Sequence, residues 1–190
     1  TQQEVTDYFA NHWSSGSHWS YTNNKNIAAM IFDEDSILDV GCGINPLSKY
    51  FKNSPRNDFY AFDPAFAYGD EKCTLEDFDP KDKKWATILC LGSINFGSQE
   101  VIEAQIKKIE SMLMPGGQII WRQNPGIADH DNEESKNIDF FPWSFEINHT
   151  LAEKFGMEVS RLEKDIHLDN PDKYRIFAIW KKPLVKPGTM

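Results

Sequence analysis

Apolar positions along this chain recur with two periods, and the alternation of those periods outlines a fold. Residues 37–40 (Ile-Leu-Asp-Val) are a short apolar run that predicts a buried strand. Residues 58–63 (Asp-Phe-Tyr-Ala-Phe-Asp) predict a second strand, and 71–75 a brief third. The nearly continuous apolar run 85–91 predicts a central parallel strand covered on both faces. Residues 118–122, 157–163 and 174–181 predict three more, the last two joined by an Asp-Asn-Pro-Asp turn. Helical spacing lies between them. Residues 2–11 put Val5, Tyr8 and Phe9 on one face, and a second helix runs from a cap at Thr22 or Asn23 to about Phe32. Leu47, Tyr50 and Phe51 share a helix face that Asn53-Ser54-Pro55 ends. Residues 99–113 form the clearest amphipathic helix, with Val101, Ile102, Ile106, Ile109 and Leu113 on its stripe and Pro115-Gly116-Gly117 as its stop. Another helix falls within 139–155. The β-α-β alternation is the doubly wound pattern. Residues 125–142 are polar and acidic and read as a long loop, a length that marks a functional or disordered segment.

The first strand runs directly into Gly41-Cys42-Gly43. A tight turn of this kind brings a ligand close to bare backbone, since glycine has no Cβ and tolerates positive φ. Strand, glycine turn and helix start together build a nucleotide-binding crevice in an open parallel sheet. A dinucleotide fingerprint needs a third glycine, and Pro46 stands in its place, which disfavours a nicotinamide cofactor. Asp39, just before the first glycine, suits a ligand carrying positive charge better than a pyrophosphate. A plain strand–turn–helix connection is the alternative.

The Asp39-x-Gly41-x-Gly43 run resembles motif I of class I S-adenosylmethionine-dependent methyltransferases, whose ligand carries an ammonium and a sulfonium. The likeness covers about residues 35–125 well and the remainder loosely. It implies that Asp63, ending the second strand, accepts hydrogen bonds from both ribose hydroxyls; a strand-end turn residue is the competing reading. Pro64 and Ala65 then offer an apolar edge to adenine. Cys73-Thr-Leu-Glu-Asp-Phe78 resembles the adenine-contacting stretch, but Thr74 stands where the family carries an acid. That departure leaves the Leu75 backbone, Asp77 and Phe78 as rival adenine contacts, or the stretch as a solvated acidic loop. Trp85 to Phe96 resembles the fourth strand and its exit, where the backbone of Cys90, Leu91 and Gly92 would meet the methionine amino group. Leu113-Met-Pro-Gly-Gly-Gln-Ile-Ile resembles the family's turn into its fifth strand. The resemblance thus assigns Asp39, Gly41, Cys42, Gly43, Asp63, Pro64, Thr74, Leu75, Leu91 and Gly92 to S-adenosylmethionine. It implies an α/β, Rossmann-like, doubly wound sheet of about seven mostly parallel strands with an antiparallel last strand. The expected organisation is a single domain: amino-terminal helices and a candidate lid over 1–36, the methyltransferase core over 37–183, and a tail over 184–190.

Composition narrows the partners. The 190 residues are 40% hydrophobic, 26% charged and 13% aromatic, an ordinary soluble balance with surplus aromatics available to line a pocket. A net charge of −9 argues against nonspecific binding to nucleic acid, where Lys and Arg neutralise phosphates. No apolar run approaches the roughly 20 residues that span a bilayer, and no signal peptide is visible. Three widely spaced cysteines form no metal or disulfide pattern and fit a reducing compartment, so a cytoplasmic protein is expected.

Acceptor motifs of the family are missing. No Asn/Asp-Pro-Pro-aromatic run and no Pro-Cys follows the fourth strand, and the Lys-Asp-Lys-Glu tetrad of ribose methylation is not recognisable. Gly92 and Ser93 stand where the metal-dependent catechol-type enzymes carry an acid, so no metal is expected. Trp13, Trp19 and Tyr21, with His12 and His18, form a candidate acceptor-contacting lid, or a surface loop whose rings pack onto the fold. His12, His18 and His130 are the candidate general bases, their pKa lying near neutrality. Asn95, Arg122, Gln123 and Asn124 leave carboxyl ends of strands, where open α/β sheets place ligands. Phe140, Phe141, Trp143 and Phe145 wall an acceptor pocket or fill the core, while His149 and His167 carry no expected role. The expected function is methyl transfer from S-adenosylmethionine to a small oxygen or nitrogen acceptor. The alternatives are an aminopropyltransferase-like enzyme, kept open by the acidic residues 129–134, and a non-catalytic S-adenosylmethionine-binding or interaction module.

Overall fold

The computed structural model describes residues 1–12, 18–34, 36–126 and 133–184. Strands β1 (Ser36–Val40), β2 (Asp58–Phe62), β3 (Trp85–Leu91), β4 (Leu113–Gln123), β5 (Glu158–Ile166) and β6 (Tyr174–Lys181) form one sheet in the order β2-β1-β3-β4-β6-β5. β1 to β4 pair in parallel, and β6 enters antiparallel between β4 and β5. The last strand in the chain is therefore the antiparallel one. Helices α1 (Gln2–His12), α2 (Asn24–Met30), α3 (Ser48–Phe51), α4 (Gln99–Ser111) and α5 (Phe145–Lys154) complete the described elements, with a 3-10 turn over Glu133–Asn137 inside the expected long loop. No helix among the described residues is long and apolar enough to cross a membrane.

Both sheet faces are covered, as the apolar β3 requires. On one face Leu38, Val40, Ile88, Cys90, Ile119 and Trp121 pack against the Ile102, Ile106 and Ile109 stripe of α4 and against Leu151 and Ala152 of α5. On the other, Ile37, Leu89, Ile120, Phe177 and Ile179 pack against Ile27 and Ala28 of α2 and Phe51 of α3. Local caps set the helix starts: Asn23 Oδ1 accepts from Asn26 N, Ser98 Oγ from Val101 N and Ser144 Oγ from Ile147 N.

The expected third strand does not form, so the sheet has six strands rather than seven. Residues 71–73 run beside β2 and make three ladder-like bonds, Glu71 N to Ala61 O at 3.4 Å, Asp63 N to Glu71 O at 3.3 Å and Cys73 N to Asp63 O at 3.2 Å, with a single bridge between Phe62 and Glu71. The chain then leaves the edge at Thr74, whose hydroxyl and carbonyl accept from Asp77 N and Phe78 N and close a turn. A polar segment at a sheet edge gains little from a longer ladder, and the Thr74 turn wins.

Candidate functional site

The carboxyl ends of β1, β2, β3 and β4 converge on one cavity of about 780 Å³, within the ~300–1,000 Å³ typical of ligand sites. Helix α1 supplies its outer wall through Val5 and Phe9, and Phe9 meets Phe96 at 5.3 Å between ring centroids.

The glycine turn forms the inner end. Gly41 has φ +77°, and a Cβ there would stand 2.5 Å from Ser93 Cβ, so only glycine lets β1 and the β3 exit approach this closely. Gly41 lines the cavity, whereas Cys42 and Gly43 lie behind it. Gly43 instead donates its N–H to Asp63 Oδ2 at 2.9 Å. Asp63 Oδ1 accepts from Ala65 N at 2.8 Å and Phe66 N at 3.0 Å. Asp63 is thus a turn residue and a cavity-lining carboxylate at once; with three of roughly four lone-pair sites engaged, acceptor capacity for a ligand remains. Pro64, Thr74, Leu75, Leu91 and Gly92 also line the cavity.

Beneath the turn lies a buried carboxyl group, Asp39, which is not among the residues that line the cavity. Asp39 is 3% exposed, and its carboxylate accepts no hydrogen bond from a described residue. Burial pushes its pKa up to about 7, against the opposing pull of the Arg122 guanidinium and with a further push from Asp63. Arg122, on the same sheet face, is lowered by burial to about 10 and stays charged at neutral pH. Its Nη2 donates to Leu91 O at 2.9 Å and its Nη1 to Thr22 O at 3.1 Å. Burial also raises the Cys42, Cys73 and Cys90 thiols, so none is a ready nucleophile.

The acceptor candidates divide. Trp19, Asn95 and Asn124 line the cavity, together with Arg122 and Phe140. Gln123 does not. Strand parity sends it to the opposite face from Arg122, where it is fully buried and exchanges both amide ends with Asn148 at 3.0 and 2.7 Å. Tyr21 also stays outside the cavity lining, stacked on Phe177 at 5.6 Å. Phe141 and Trp143 belong to the core, and Phe145 is exposed. His18 lies outside as well: its Nδ1 is 2.9 Å from Asp169 Oδ2, and its ring stacks on His167 at 5.4 Å. These three side chains bring possible ligand atoms within 4.8 Å of one another on the exposed side of the β5–β6 turn, a grouping that the sequence distance of about 150 residues conceals. Trp13 and His130 lie outside the described residues, as does the side chain of His12. Among the described residues, no histidine, cysteine or lysine lines the cavity.

Sequence reasoning missed Arg175 and Ile138, both in the lining. Arg175 lies at the start of β6 and stacks over the Trp19 ring at 4.8 Å. Its one signal was a cation interrupting an otherwise apolar strand.

No protein-family model and no curated protein matches the sequence, whereas solved structures match its fold. Magnesium protoporphyrin IX methyltransferase from Synechocystis PCC 6803, solved with bound SAM, aligns at TM-score 0.67 and 14% identity over 95% of this chain and 96% of that one. The N-methyltransferase NodS from Bradyrhizobium japonicum WM9, solved with S-adenosylhomocysteine, aligns at 0.67 and 10% over 95% and 97%. The 1,6-didemethyltoxoflavin-N1-methyltransferase of Burkholderia thailandensis aligns at 0.66 and 13% over 84% and 76%. The chain has the Rossmann-like fold of the class I S-adenosylmethionine-dependent methyltransferases.

Proposed function

We propose that this protein binds S-adenosylmethionine in the cavity and transfers its methyl group to a small oxygen or nitrogen acceptor. The observation that carries the reading is the buried Asp39 carboxyl beneath the bare Gly41 turn, which accepts no hydrogen bond from a described residue. A carboxylate without a hydrogen-bonded partner is costly in a protein interior, and a cationic ligand supplies what it lacks. The amino-acid end of the donor carries an ammonium, and Asp39 with the free lone pair of Leu91 O would face it. The remaining capacity of Asp63 would hold the ribose, and Pro64, Thr74 and Leu75 would flank the adenine. The amino-terminal segment over 1–36 acts as the cover of the site, through Val5 and Phe9 of α1 and through Trp19.

The bound sulfonium supplies a methyl group that is already activated. The chain's task is then to hold an acceptor in line behind that carbon at about 3 Å, which is catalysis by proximity. Asn95 and Asn124, fixed at the carboxyl ends of β3 and β4, are the groups placed to orient it. The structural relatives include methyltransferases named for magnesium protoporphyrin IX and 1,6-didemethyltoxoflavin, and a planar conjugated acceptor fits walls made by Phe9, Phe96 and Phe140.

Calorimetric titration with S-adenosylhomocysteine tests the reading. Saturable binding is expected, weakened in Asp63→Asn by about 1–3 kcal/mol through loss of charge-assisted hydrogen bonds. The variant should also melt earlier, because Gly43, Ala65 and Phe66 lose a charged acceptor. No heat at millimolar ligand would end the proposal. Tight binding without product from a broad acceptor panel would move the protein to the class of non-catalytic binding modules.

A further inference from the structure

The segment that covers the cavity is fastened to the β5–β6 turn by main-chain bonds. Ser20 N donates to Ile166 O at 3.1 Å and Leu168 N to His18 O at 2.8 Å, with an antiparallel bridge between Trp19 and His167. Ser20 Oγ, Tyr21 N, and the N and Oγ1 of Thr22 all donate to the buried Asp165 carboxylate. The backbones that carry His18 and His167 are therefore held in place. Trp19 lines the cavity, while His18 beside it is exposed. His167 touches both, edge-on to the Trp19 ring at 5.1 Å and stacked on the His18 ring at 5.4 Å with 5° between the planes. Asp169 completes the group, its Oδ2 standing 2.9 Å from His18 Nδ1. One ligand atom from each of the three lies within 4.8 Å of the others.

We propose that His18, His167 and Asp169 bind a divalent transition-metal ion such as zinc, and that the ion pins the amino-terminal cover to the β5–β6 turn. Two imidazoles and a carboxylate are a zinc ligand set, and three protein ligands leave a further position to water. Imidazole nitrogen selects such an ion over magnesium or calcium, which take oxygen ligands. Adjacent ligand atoms on one zinc ion lie about 3–3.4 Å apart, given bonds of about 2.1 Å. The His18 and Asp169 pair already stands near that separation. The third atom has to close by roughly 1–2 Å at most to reach the same bond lengths. The side chains of His18 and Asp169, 46% and 72% exposed, have room to make that move. Little opposes it. His167 Nδ1 accepts from Asp169 N at a long 3.2 Å, and no other hydrogen bond to a described residue holds these three side chains except that between His18 and Asp169. A metal on either nitrogen of His167 displaces the long contact, directly at Nδ1 or by sending the ring proton there. The net charge of −9 favours a cation over an anion at this surface. The ion would act on the cover and not on the chemistry, since none of its three ligands lines the cavity and Trp19 is the link between them.

The test titrates the full chain, without any nucleoside present, with zinc chloride. Calorimetry and the histidine ring resonances in NMR are the readouts. One equivalent is expected to bind at micromolar zinc, moving the ring signals of His18 and His167 and leaving that of His149, on α5, in place. Magnesium chloride should not compete. His18→Gln and His167→Gln should each weaken zinc by at least about tenfold, since even groups that only orient a ligand are worth that much. Asp169→Asn should weaken it severalfold. Amide exchange over residues 18–22 should slow when zinc is added to the native chain and stay unchanged in His18→Gln, whose exposed side chain leaves the fold intact. No binding at micromolar zinc would overturn the proposal. Binding that survives both histidine variants would place the ion elsewhere and overturn it equally. Binding at this site with no slowing of exchange over 18–22 would overturn the pinning role. No donor is present in the experiment, so none of these outcomes bears on the donor reading.

Discussion

On the proposed donor site, Asp39 would couple folding to ligand binding. Its folded pKa of about 7 lies above the ordinary value of 3.8, so the folded chain holds the proton more tightly than the unfolded one. Its contribution to stability is fully present below the unfolded value and is lost as pH rises through about 7. By linkage that loss is on the order of 4 kcal/mol, set by burial of the charge. Asp39→Asn should therefore raise the melting temperature of the ligand-free protein at pH 8 and change it little at pH 4. The same substitution should weaken S-adenosylhomocysteine. In the native protein affinity should fall as pH drops below about 7, because the carboxylate must lose its proton to face an ammonium; in Asp39→Asn that dependence should be flat. Calorimetry across pH 5.5–8 checks both arms. A native affinity that does not vary over this range would remove Asp39 from the site. Asp63 was legible as a turn acid just past an apolar strand, and it lines the cavity, whereas Asp39, one residue short of the end of β1, lies outside the lining. Gln123 misled because a position at a strand end says nothing by itself of which face its side chain takes.

Among the elements, β4, β6 and α5 are locked by a buried polar cluster rather than by apolar packing alone. Asn148 Oδ1 accepts from Gln123 Nε2 and from Trp180 Nε1, each at 3.0 Å, while its Nδ2 donates to Gln123 Oε1 and to Ser144 O. Trp121, Trp143 and Trp180 surround the cluster, with ring centroids 4.8–6.2 Å apart. Asn148→Ala would orphan groups on Gln123 and Trp180 at once. We expect a loss of about 2–4 kcal/mol in denaturant unfolding, since each buried unsatisfied group costs about 1–3 kcal/mol and neighbours partly relax. A loss below 0.5 kcal/mol would mean that water or a rearranged side chain replaces the amide. The helix stripes and the apolar β3 run made most elements visible in advance. The third strand was overcalled, because a short apolar–polar mixture at a sheet edge satisfies a strand pattern and a turn equally well.

For the whole molecule, ligand binding should appear as added stability. S-adenosylhomocysteine at a hundred times its Kd adds about 2.7 kcal/mol to the folded state. For a chain of this size that corresponds to a rise of roughly 5–10 °C in Tm. NAD should leave the melt unchanged, since Pro46 stands where a dinucleotide turn needs glycine. A shift with NAD and none with S-adenosylhomocysteine would reverse the assignment of the crevice. The sequence by itself determined the order of elements, the glycine crevice after β1 and the two strand-end carboxylates, because periodicity and turn chemistry are local and act over a few residues. Only the tertiary structure decided which polar side chains share the cavity. Arg122, Arg175, Asn95 and Trp19 come from four separate segments, and sheet order, strand parity and the wrap of the amino-terminal segment bring them to one corner. Those are properties of long-range pairing, which no local pattern encodes.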